Sequence, residues 1–441
     1  MSASNWVRTN TVNRRKFLTQ AGAMSAVLLA AACSSAPEVV VTKTITPGQS
    51  TASSTGSSSQ VTVPGTSGST TASTSAANGV RIIASPKFGS TDVAPTAAIT
   101  ITTFNAKITT LTVTGTDGAE VQGTTDANGT TWSLTDRLKY GQTYTFAGSA
   151  VDSGGAATPI TGTLATVSPA EKLKALPAYA TQGGTYGVGQ PVIIQFNGVV
   201  TNRAEAEKRM KVTTDKGDVV GSWGWLADED IVGDGLRSQV HWRPKDFWPS
   251  NTKVSVTMDL YGVDFGGGKW GDDDTTLSFT IGRRMIAYAD VSSFHLRVEQ
   301  DDVVVKNYPV SYGKADNGRV TRSGIHLVQD KISKTNGSGV PTYSMCNATF
   351  GYCGVDVTWP VRINNNGEFI HENDSTIRSQ GVANVSHGCV NMSTANAKDF
   401  YQRCLVGDPV IVSNTGADMK QSDFNYDWIF SYDQWKSLSA L

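Results

Sequence analysis

The chain has 441 residues, which is more than one hydrophobic core usually spans and enough for three domains of ordinary size. Charged residues make up 17% of the sequence and hydrophobic residues 39%, a balance that excludes a collagen-like chain and a wholly disordered one. Lys and Arg number 37 against 38 Asp and Glu, so charge gives no basis for nucleic acid as a partner. The five cysteines are an odd count, which excludes a fully paired disulfide framework.

Residues 1–33 have the pattern of an export signal. Arg14 and Arg15 belong to a short basic segment, which is followed by the uncharged residues 21–32. A basic start, a short apolar stretch and small residues before a cleavage point are typical of a secretory signal. The stretch is too short to cross ~30 Å of hydrocarbon, and the paired arginines resemble a twin-arginine signal. We therefore expect an exported protein.

Cys33 follows three alanines in the pattern of a lipobox, in which the cysteine becomes a lipidated N-terminus. The alternative is ordinary cleavage, because Ala30 stands where a lipobox usually carries leucine, and Cys33 would then belong to the discarded peptide. We predict lipidation, and with it a membrane anchor and a location on the outer face of the cytoplasmic membrane or in the cell wall.

Residues 34–80 predict a flexible linker. No charged residue occurs from position 44 to position 80, and the composition there is mostly Ser, Thr, Gly and Ala. Such a segment cannot bury a core, so it acts as a spacer between the anchor and the folded domains.

Two stretches with strand periodicity follow, at residues 81–167 and 168–282. In both, short runs rich in β-branched residues alternate at period two, and turn signals such as Asp117-Gly118 separate them. A short helix is predicted at residues 203–210. The pattern predicts two consecutive immunoglobulin-like β-sandwiches. The strand-like runs include residues 98–104, 108–114, 143–146, 192–196, 211–214, 239–244, 253–259 and 277–282.

Four tryptophans of the second stretch allow two interpretations. They could line a carbohydrate-binding platform, or they could pack in the core and between domains, and we favour the second. The four are Trp223, Trp225, Trp242 and Trp248.

A third domain is predicted at residues 283–413, again starting with strands. Its first clear helix signal comes late, with Ser393 as a candidate N-cap. A C-terminal extension with two tryptophans follows at 414–441. The predicted fold is therefore mainly β, with two sandwiches ahead of a β-rich third domain.

The candidate catalytic residues lie in this third domain. Cys389 is predicted just before a helix, where the helix dipole would favour a thiolate. His371 closes a strand-like run and could serve as the base that a cysteine nucleophile needs. Gly388 allows a tight turn, so the amides of Gly388 and Cys389 could converge on an oxyanion. From spacing alone, a disulfide cysteine and a structural histidine remain the alternatives.

The whole string resembles the signature of the L,D-transpeptidase catalytic domain. His371 is followed after fourteen residues by Ser386, His387, Gly388, Cys389, Val390 and Asn391, in the order of that family's motif. The resemblance extends more loosely over 283–413. The tail at 426–435 is similar to the C-terminal segment of mycobacterial-type members, which packs on the catalytic domain behind two immunoglobulin-like modules.

The resemblance implies roles for individual residues. Cys389 would be the nucleophile, His371 the base and Gly388 part of the oxyanion hole. Glu372 would orient the imidazole through its backbone carbonyl, although the family usually has a small residue there, and its carboxylate would favour an imidazolium. The residues expected to bind substrate or shape its pocket are Ser386, His387, Asn391, Asn366, Gly367 and, with a one-residue shift in the alignment, the lid residue Tyr352.

Three further cysteines remain once Cys33 and Cys389 have roles. Cys346 and Cys353 lie seven residues apart in the loop that would form the active-site lid, and outside the cytoplasm they could form a disulfide. Cys404 would stay unpaired and buried on its helix. The five histidines are scattered and no Cys-x-x-Cys pair occurs, so we expect no metal and no cofactor.

The resemblance implies that the protein cross-links peptidoglycan. A tetrapeptide stem would donate its diaminopimelate carbonyl to the diaminopimelate of a second stem, which forms a 3→3 cross-link and releases D-alanine. The resemblance also implies inhibition by carbapenem β-lactams. One alternative is a sortase-like transpeptidase, with Arg403 as its arginine, although Ser-His-Gly-Cys is not a sortase motif. A papain-like peptidase would place its cysteine before its histidine. The non-enzymatic alternative is a peptidoglycan-binding lipoprotein that has lost activity.

Overall fold

The computed structural model describes residues 73–75, 79–230, 233–316, 318–347, 351–421 and 427–441. The predicted signal at 1–33, with Cys33, lies outside the described residues, as does most of the predicted linker at 34–80. No helix within these ranges is long and apolar enough to span a membrane.

The first domain is a sandwich of two antiparallel sheets. Its strands are β1 (Ser73–Ser75), β2 (Arg81–Ser85), β3 (Thr100–Phe104), β4 (Ala106–Gly115), β5 (Gly123–Thr125), β6 (Thr131–Leu134), β7 (Thr143–Asp152) and β8 (Ala157–Ala165). One sheet has the order β1-β2-β3-β6-β5 and the other β4-β7-β8. Tyr144 and Phe146 of β7 alternate with exposed residues and face a core that includes Trp132, as the period of a strand requires. The predicted sandwich is confirmed.

The second domain is also a two-sheet sandwich. Its strands are β9 (Glu171–Leu173), β10 (Ala175–Ala178), β11 (Thr185–Tyr186), β12 (Val192–Phe196), β13 (Met210–Thr214), β14 (Gly221–Trp225), β15 (Gln239–Pro244), β16 (Thr252–Met258), β17 (Asp264–Gly266), β18 (Lys269–Gly271) and β19 (Thr275–Ile281), with a short helix α1 (Arg203–Glu207) where one was predicted. The two main sheets have the orders β10-β12-β15-β14 and β11-β19-β16-β13. All four tryptophans singled out above are at most 7% exposed and belong to this core, so the packing interpretation is correct.

The third domain packs two sheets and a helix around one core. Its strands are β20 (Met285–Asp290), β21 (His295–Gln300), β22 (Val303–Pro309), β23 (Gly324–Leu327), β24 (Asp330–Lys331), β25 (Thr342–Asn347), β26 (Tyr352–Thr358), β27 (Val361–Arg362), β28 (Phe369–Glu372), β29 (Val390–Met392) and β30 (Pro409–Ser413). The sheets have the orders β22-β21-β20-β30-β23 and β24-β27-β28-β29, and β25 and β26 form a separate hairpin. Helix α2 (Thr394–Arg403) begins after Ser393, whose side chain accepts from the Asn396 amide as an N-cap.

The second sandwich and the third domain are joined by main-chain contacts. The Gly187 amide donates to Val406 O at 2.7 Å, and the Gly189 amide donates to Gly407 O at 2.9 Å. A Cβ atom at Gly187 would lie 2.2 Å from the Asp408 nitrogen, so only glycine permits this approach. The two domains therefore meet backbone to backbone.

The C-terminal extension packs on the catalytic domain only in its first part, where the Ser323 amide donates to Ala417 O and the Met419 amide donates to Ser323 O. Its tryptophan-containing end lies mainly on the second sandwich, which corrects the expectation for that part. It contains a 3₁₀ turn (Asp427–Ile429) and helix α3 (Tyr432–Lys436). Trp435 is fully buried, and its Nε1 donates to Ser222 O at 2.9 Å. The Trp428 indole likewise donates to Gly189 O. The 3₁₀ turn contacts β23 of the third domain. The tail docks along β14, which is the edge strand of its sheet, and the Trp225 amide of this strand donates to Leu438 O at 2.9 Å.

Candidate active site

Two adjacent parallel strands carry the predicted nucleophile and base. In the β28–β29 ladder, His371 pairs with Asn391, and Cys389 directly precedes β29. Paired residues of a ladder point to the same side, and so do residues two apart on one strand. His371 and Asn391 therefore project from one face of this sheet. Cys389 lies on the same face, because it packs against Phe369, which is two residues before His371 on β28.

His371 is oriented by a backbone carbonyl. Its Nδ1 lies 2.7 Å from Glu372 O, so Nδ1 carries the proton and the neutral ring keeps its lone pair on Nε2. The ring is 4% exposed, and this burial lowers the pKa of His371, although the carbonyl and the Glu372 charge act in the opposite direction. The Glu372 carboxylate accepts from Thr358 Oγ1 and from the Asp374 amide. The Glu372 charge does favour the imidazolium, as predicted, but burial outweighs it and the pKa of His371 is lowered overall.

The Cys389 thiol is buried and protonated. It is 8% exposed, and Sγ lies 3.6 Å from Gly367 O. Burial raises the pKa of Cys389 to about 12, and the charge on Glu368 adds to this rise. The prediction that a helix dipole favours a thiolate at Cys389 is wrong, because β29 lies between Cys389 and α2, which begins only at Thr394. A thiolate must therefore be generated by a base during the reaction.

The loop before Cys389 is held by side-chain hydrogen bonds. Gly388 has φ +117°, a conformation that other residues rarely adopt, and its carbonyl accepts from Thr321 Oγ1 at 2.8 Å. Ser386 Oγ donates to Cys389 O at 2.6 Å and accepts from the Gly388 amide at 3.2 Å. The Gly388 amide, predicted as an oxyanion donor, is thus engaged by Ser386, and Ser386 closes a buried turn instead of facing a substrate.

The β25–β26 hairpin covers the thiol. Met345, Val357 and Phe369 form a small apolar cluster with Cys389, and Tyr352 packs against it. The Tyr352 ring centroid lies 5.9 Å from that of the exposed His387, and burial raises the pKa of Tyr352. The structure therefore places Tyr352 next to the thiol, with His387 beside the Tyr352 ring.

A disulfide links the two strands of this hairpin. The structure joins Cys346 and Cys353, which face each other across β25 and β26. Cys404 is free and fully buried, as predicted. Arg403, the arginine of the sortase-like alternative, pairs with Asp399 on its own helix, at 3.0 Å.

The remaining predicted residues lie in the β27–β28 turn and on β29. Asn366 and Gly367 belong to the turn between β27 and β28, where the Asn366 amide donates to Asn364 Oδ1 and Gly367 O faces the thiol. The Asn391 backbone exchanges hydrogen bonds with Ser311 at 2.9 and 3.1 Å, and Asn391 is 2% exposed. Asn391 therefore holds the loop. No group of His, Cys, Asp and Glu within the described ranges could hold a metal ion.

This geometry agrees with comparisons to known proteins. The L,D-transpeptidase catalytic domain model matches residues 284–412, and a bacterial Ig domain model matches residues 90–264. L,D-transpeptidase 5 of Mycobacterium tuberculosis is 39% identical over 82% of this chain and 77% of its own length. The chain belongs to the L,D-transpeptidase family. L,D-transpeptidase 2 of the same species is 35% identical over 82% of this chain and 85% of its own length.

A solved structure of the L,D-transpeptidase LdtMt1 in complex with imipenem is 28% identical to this chain. It covers 56% of this chain and 100% of its own, with a TM-score of 0.44.

Three residues of this L,D-transpeptidase site were missed by the sequence analysis. Thr321 supports the Gly388 carbonyl, and Arg362 places its guanidinium 4.3 Å from the Phe369 ring centroid, where its charge lowers the pKa of Cys389. Glu368 is a buried carboxyl next to Gly388. Their positions depend on pairing between distant segments, and an Asn-Gly-Glu turn alone indicates an exposed loop.

Proposed function

We propose that this L,D-transpeptidase forms 3→3 cross-links in peptidoglycan through a thioester on Cys389. The observation that supports this most strongly is the placement of Cys389 and His371 on one face of the β28–β29 pair, with His371 Nδ1 fixed by Glu372 O. The donor would be a tetrapeptide stem and the acceptor the side-chain amine of a second diaminopimelate.

The acylation step follows from the protonation states of the two residues. Cys389 Sγ attacks the carbonyl carbon of the third stem residue while His371 Nε2 takes the thiol proton. The bond to the terminal D-alanine nitrogen breaks, and His371 returns the proton to this leaving amine. Because burial raises the pKa of the thiol and lowers that of the imidazole, the resting pair is a neutral thiol and a neutral imidazole, and the proton moves as Sγ attacks.

The second step needs an amine in place of water. The neutral acceptor amine attacks the thioester carbon, the C–S bond breaks, and a new amide bond joins the two stems. His371 Nε2 takes the proton that the amine loses and returns it to Sγ, which restores the thiol. The β25–β26 hairpin covers Cys389 with apolar side chains, and this cover would restrict water at the thioester. A carbapenem presents a strained lactam carbonyl to the same thiol, so its ring would open and leave an acyl adduct on Cys389.

We further propose that the protein acts outside the cytoplasm, anchored through a lipid on Cys33. The basic residues and small residues of the first 33 positions support export, and the uncharged spacer after them supports a role at some distance from the membrane. Mass spectrometry of the protein extracted from membranes tests this: a diacylglyceryl mass on Cys33 supports the anchor, and a mature N-terminus without lipid contradicts it.

Intact-protein mass spectrometry with a carbapenem tests the nucleophile. We expect an adduct on the wild type and on Cys404→Ala, but none on Cys389→Ala. Cys404 is a matched control because it is also a buried free thiol, and burial raises its pKa to about 12 as well. Incubation with a disaccharide-tetrapeptide should then yield 3→3 dimers and D-alanine.

Two results would contradict this proposal. An adduct on Cys389→Ala would place the nucleophile elsewhere. A folded, reduced wild type with neither adduct nor dimer would favour a peptidoglycan-binding protein without activity.

A further inference from the structure

Glu368 is a buried acidic residue that the reaction above does not use. It is 4% exposed and lies directly behind the nucleophile loop. A Cβ atom built on Gly388 would be 3.6 Å from Glu368 Cγ and 3.8 Å from Oε1. Acidic side chains are almost never buried to this degree unless they are paired, so this position requires a physical reason.

The Glu368 carboxyl connects its own turn to the segment that carries Arg322. Oε1 accepts from the Arg322 amide at 3.1 Å, and Oε2 accepts from Asn364 Nδ2 at 3.0 Å. The Glu368 amide donates to Asn366 Oδ1 at 3.1 Å. The turn held in this way ends at Gly367, whose carbonyl faces Cys389 Sγ. The hydrogen bonds therefore run from the β22–β23 connection through Glu368 to the thiol.

The ionisable groups that face Glu368 come from two sides. Arg322 and His326 lie on the β23 side, with His326 Nδ1 3.8 Å from Oε2 and His326 Nε2 2.7 Å from Arg322 O. Cys389 lies on the other side, with Arg362 as the cation that acts on it. Burial raises the pKa of Glu368 to about 7, while the Arg322 amide and the two asparagine side chains act in the opposite direction.

We propose that Glu368 is a positioning residue for the nucleophile, which holds the turn that receives the thiol and places a titratable charge beside it. The inference deepens the proposed function and rests on it for its biological meaning, since Cys389 must be the reacting group. The charge is what distinguishes this role from a purely structural one.

The charge predicts a particular dependence on pH. Below about pH 7 the Glu368 carboxyl is protonated and neutral, so it does not oppose formation of a thiolate. Above that pH the carboxylate is negative and raises the pKa of Cys389, so the thiol loses its proton less readily. The reactivity of the wild type should therefore rise with pH, flatten as Glu368 ionises, and rise again.

Glu368→Gln is the informative variant, because it keeps the shape and an acceptor for the Arg322 amide while removing the charge. Alkylation of Cys389 by iodoacetamide is the direct readout, since it reports the thiolate and requires no transpeptidase activity. We expect the variant and the wild type to react equally at low pH, and the variant to react about five- to tenfold faster once the carboxylate is ionised. Asp302→Asn, which changes an exposed carboxylate of the same domain, should match the wild type at every pH.

Two results would overturn the inference. One is a wild-type profile without an inflection near pH 7, which needs no variant and so decides the matter even if Glu368→Gln fails to fold. The other is a constant ratio of the two rates at all pH values, which indicates a structural role alone. Carbapenem acylation run in parallel separates the proposals: a shifted alkylation profile without any adduct refutes the proposed function and leaves the role of Glu368 intact.

Discussion

Replacement of Trp435 by alanine should destabilise the second sandwich, although Trp435 follows the catalytic domain in the chain. The indole is fully buried, donates from Nε1 to Ser222 O at 2.9 Å, and lies 5.2 Å from the Arg243 guanidinium. A Cβ atom at Gly224 would be 2.9 Å from the ring, so the residue of β14 that faces the indole has no side chain to fill the space left behind.

The size of the effect follows from these contacts. Removal of a buried tryptophan side chain costs about 3–5 kcal/mol, and the hydrogen bond accounts for about 1 kcal/mol of this total. Trp435→Phe removes the hydrogen bond and keeps most of the ring, so it should cost about 1–2 kcal/mol.

Urea unfolding of the intact protein measures this cost, with amide exchange in β14 to identify which domain unfolds. We expect the free energy of unfolding of the second sandwich to fall, and β14 amides to lose protection first. A loss below about 1 kcal/mol for Trp435→Ala would refute the reasoning. So would a destabilisation confined to the catalytic domain, because the tail would then belong to that domain.

Two further predictions concern the catalytic domain. Gly388→Ala places a side chain at φ +117° and should slow carbapenem acylation at least about tenfold. Gly118→Ala is the control, because Gly118 has φ +79° and lies in a turn of the first sandwich with open space around it. This control should cost similar stability and leave the acylation rate unchanged. Equal acylation rates for the two variants would show that the loop conformation does not matter. Cys353→Ser removes the disulfide and should loosen the β25–β26 hairpin, so that protease cleaves it more readily. Hydrolysis of the thioester should increase relative to transfer to an amine. An unchanged ratio of hydrolysis to transfer would argue against the hairpin as a cover.

The sequence predicted those features that depend on local pattern. Alternation of β-branched residues located the strands of both sandwiches, and Ser393 correctly indicated the start of α2. The histidine and the cysteine were found by their motif, and the ladder between β28 and β29 explains how residues eighteen positions apart reach one face.

The features that were missed depend on contacts between distant segments. The placement of Cys389 before a strand follows from pairing with β28, which local helix signals cannot reveal. Glu368 looks like an exposed turn residue until Arg322 and Asn364 surround it. Trp435 was assigned to the nearer domain, while its partner Ser222 lies 213 residues away in the sequence.

The return of the tail to the second sandwich also fixes an order of events during synthesis. Domains usually fold from the N-terminus as the chain is made, but the surface around Ser222 stays uncovered until residues 428–441 exist. The buried Glu207 carboxylate likewise receives the Ala440 amide, at 2.8 Å, only at that point. A chain interrupted within or after the catalytic domain would thus carry an unfinished sandwich. The second sandwich is therefore completed only after the catalytic domain has been synthesised.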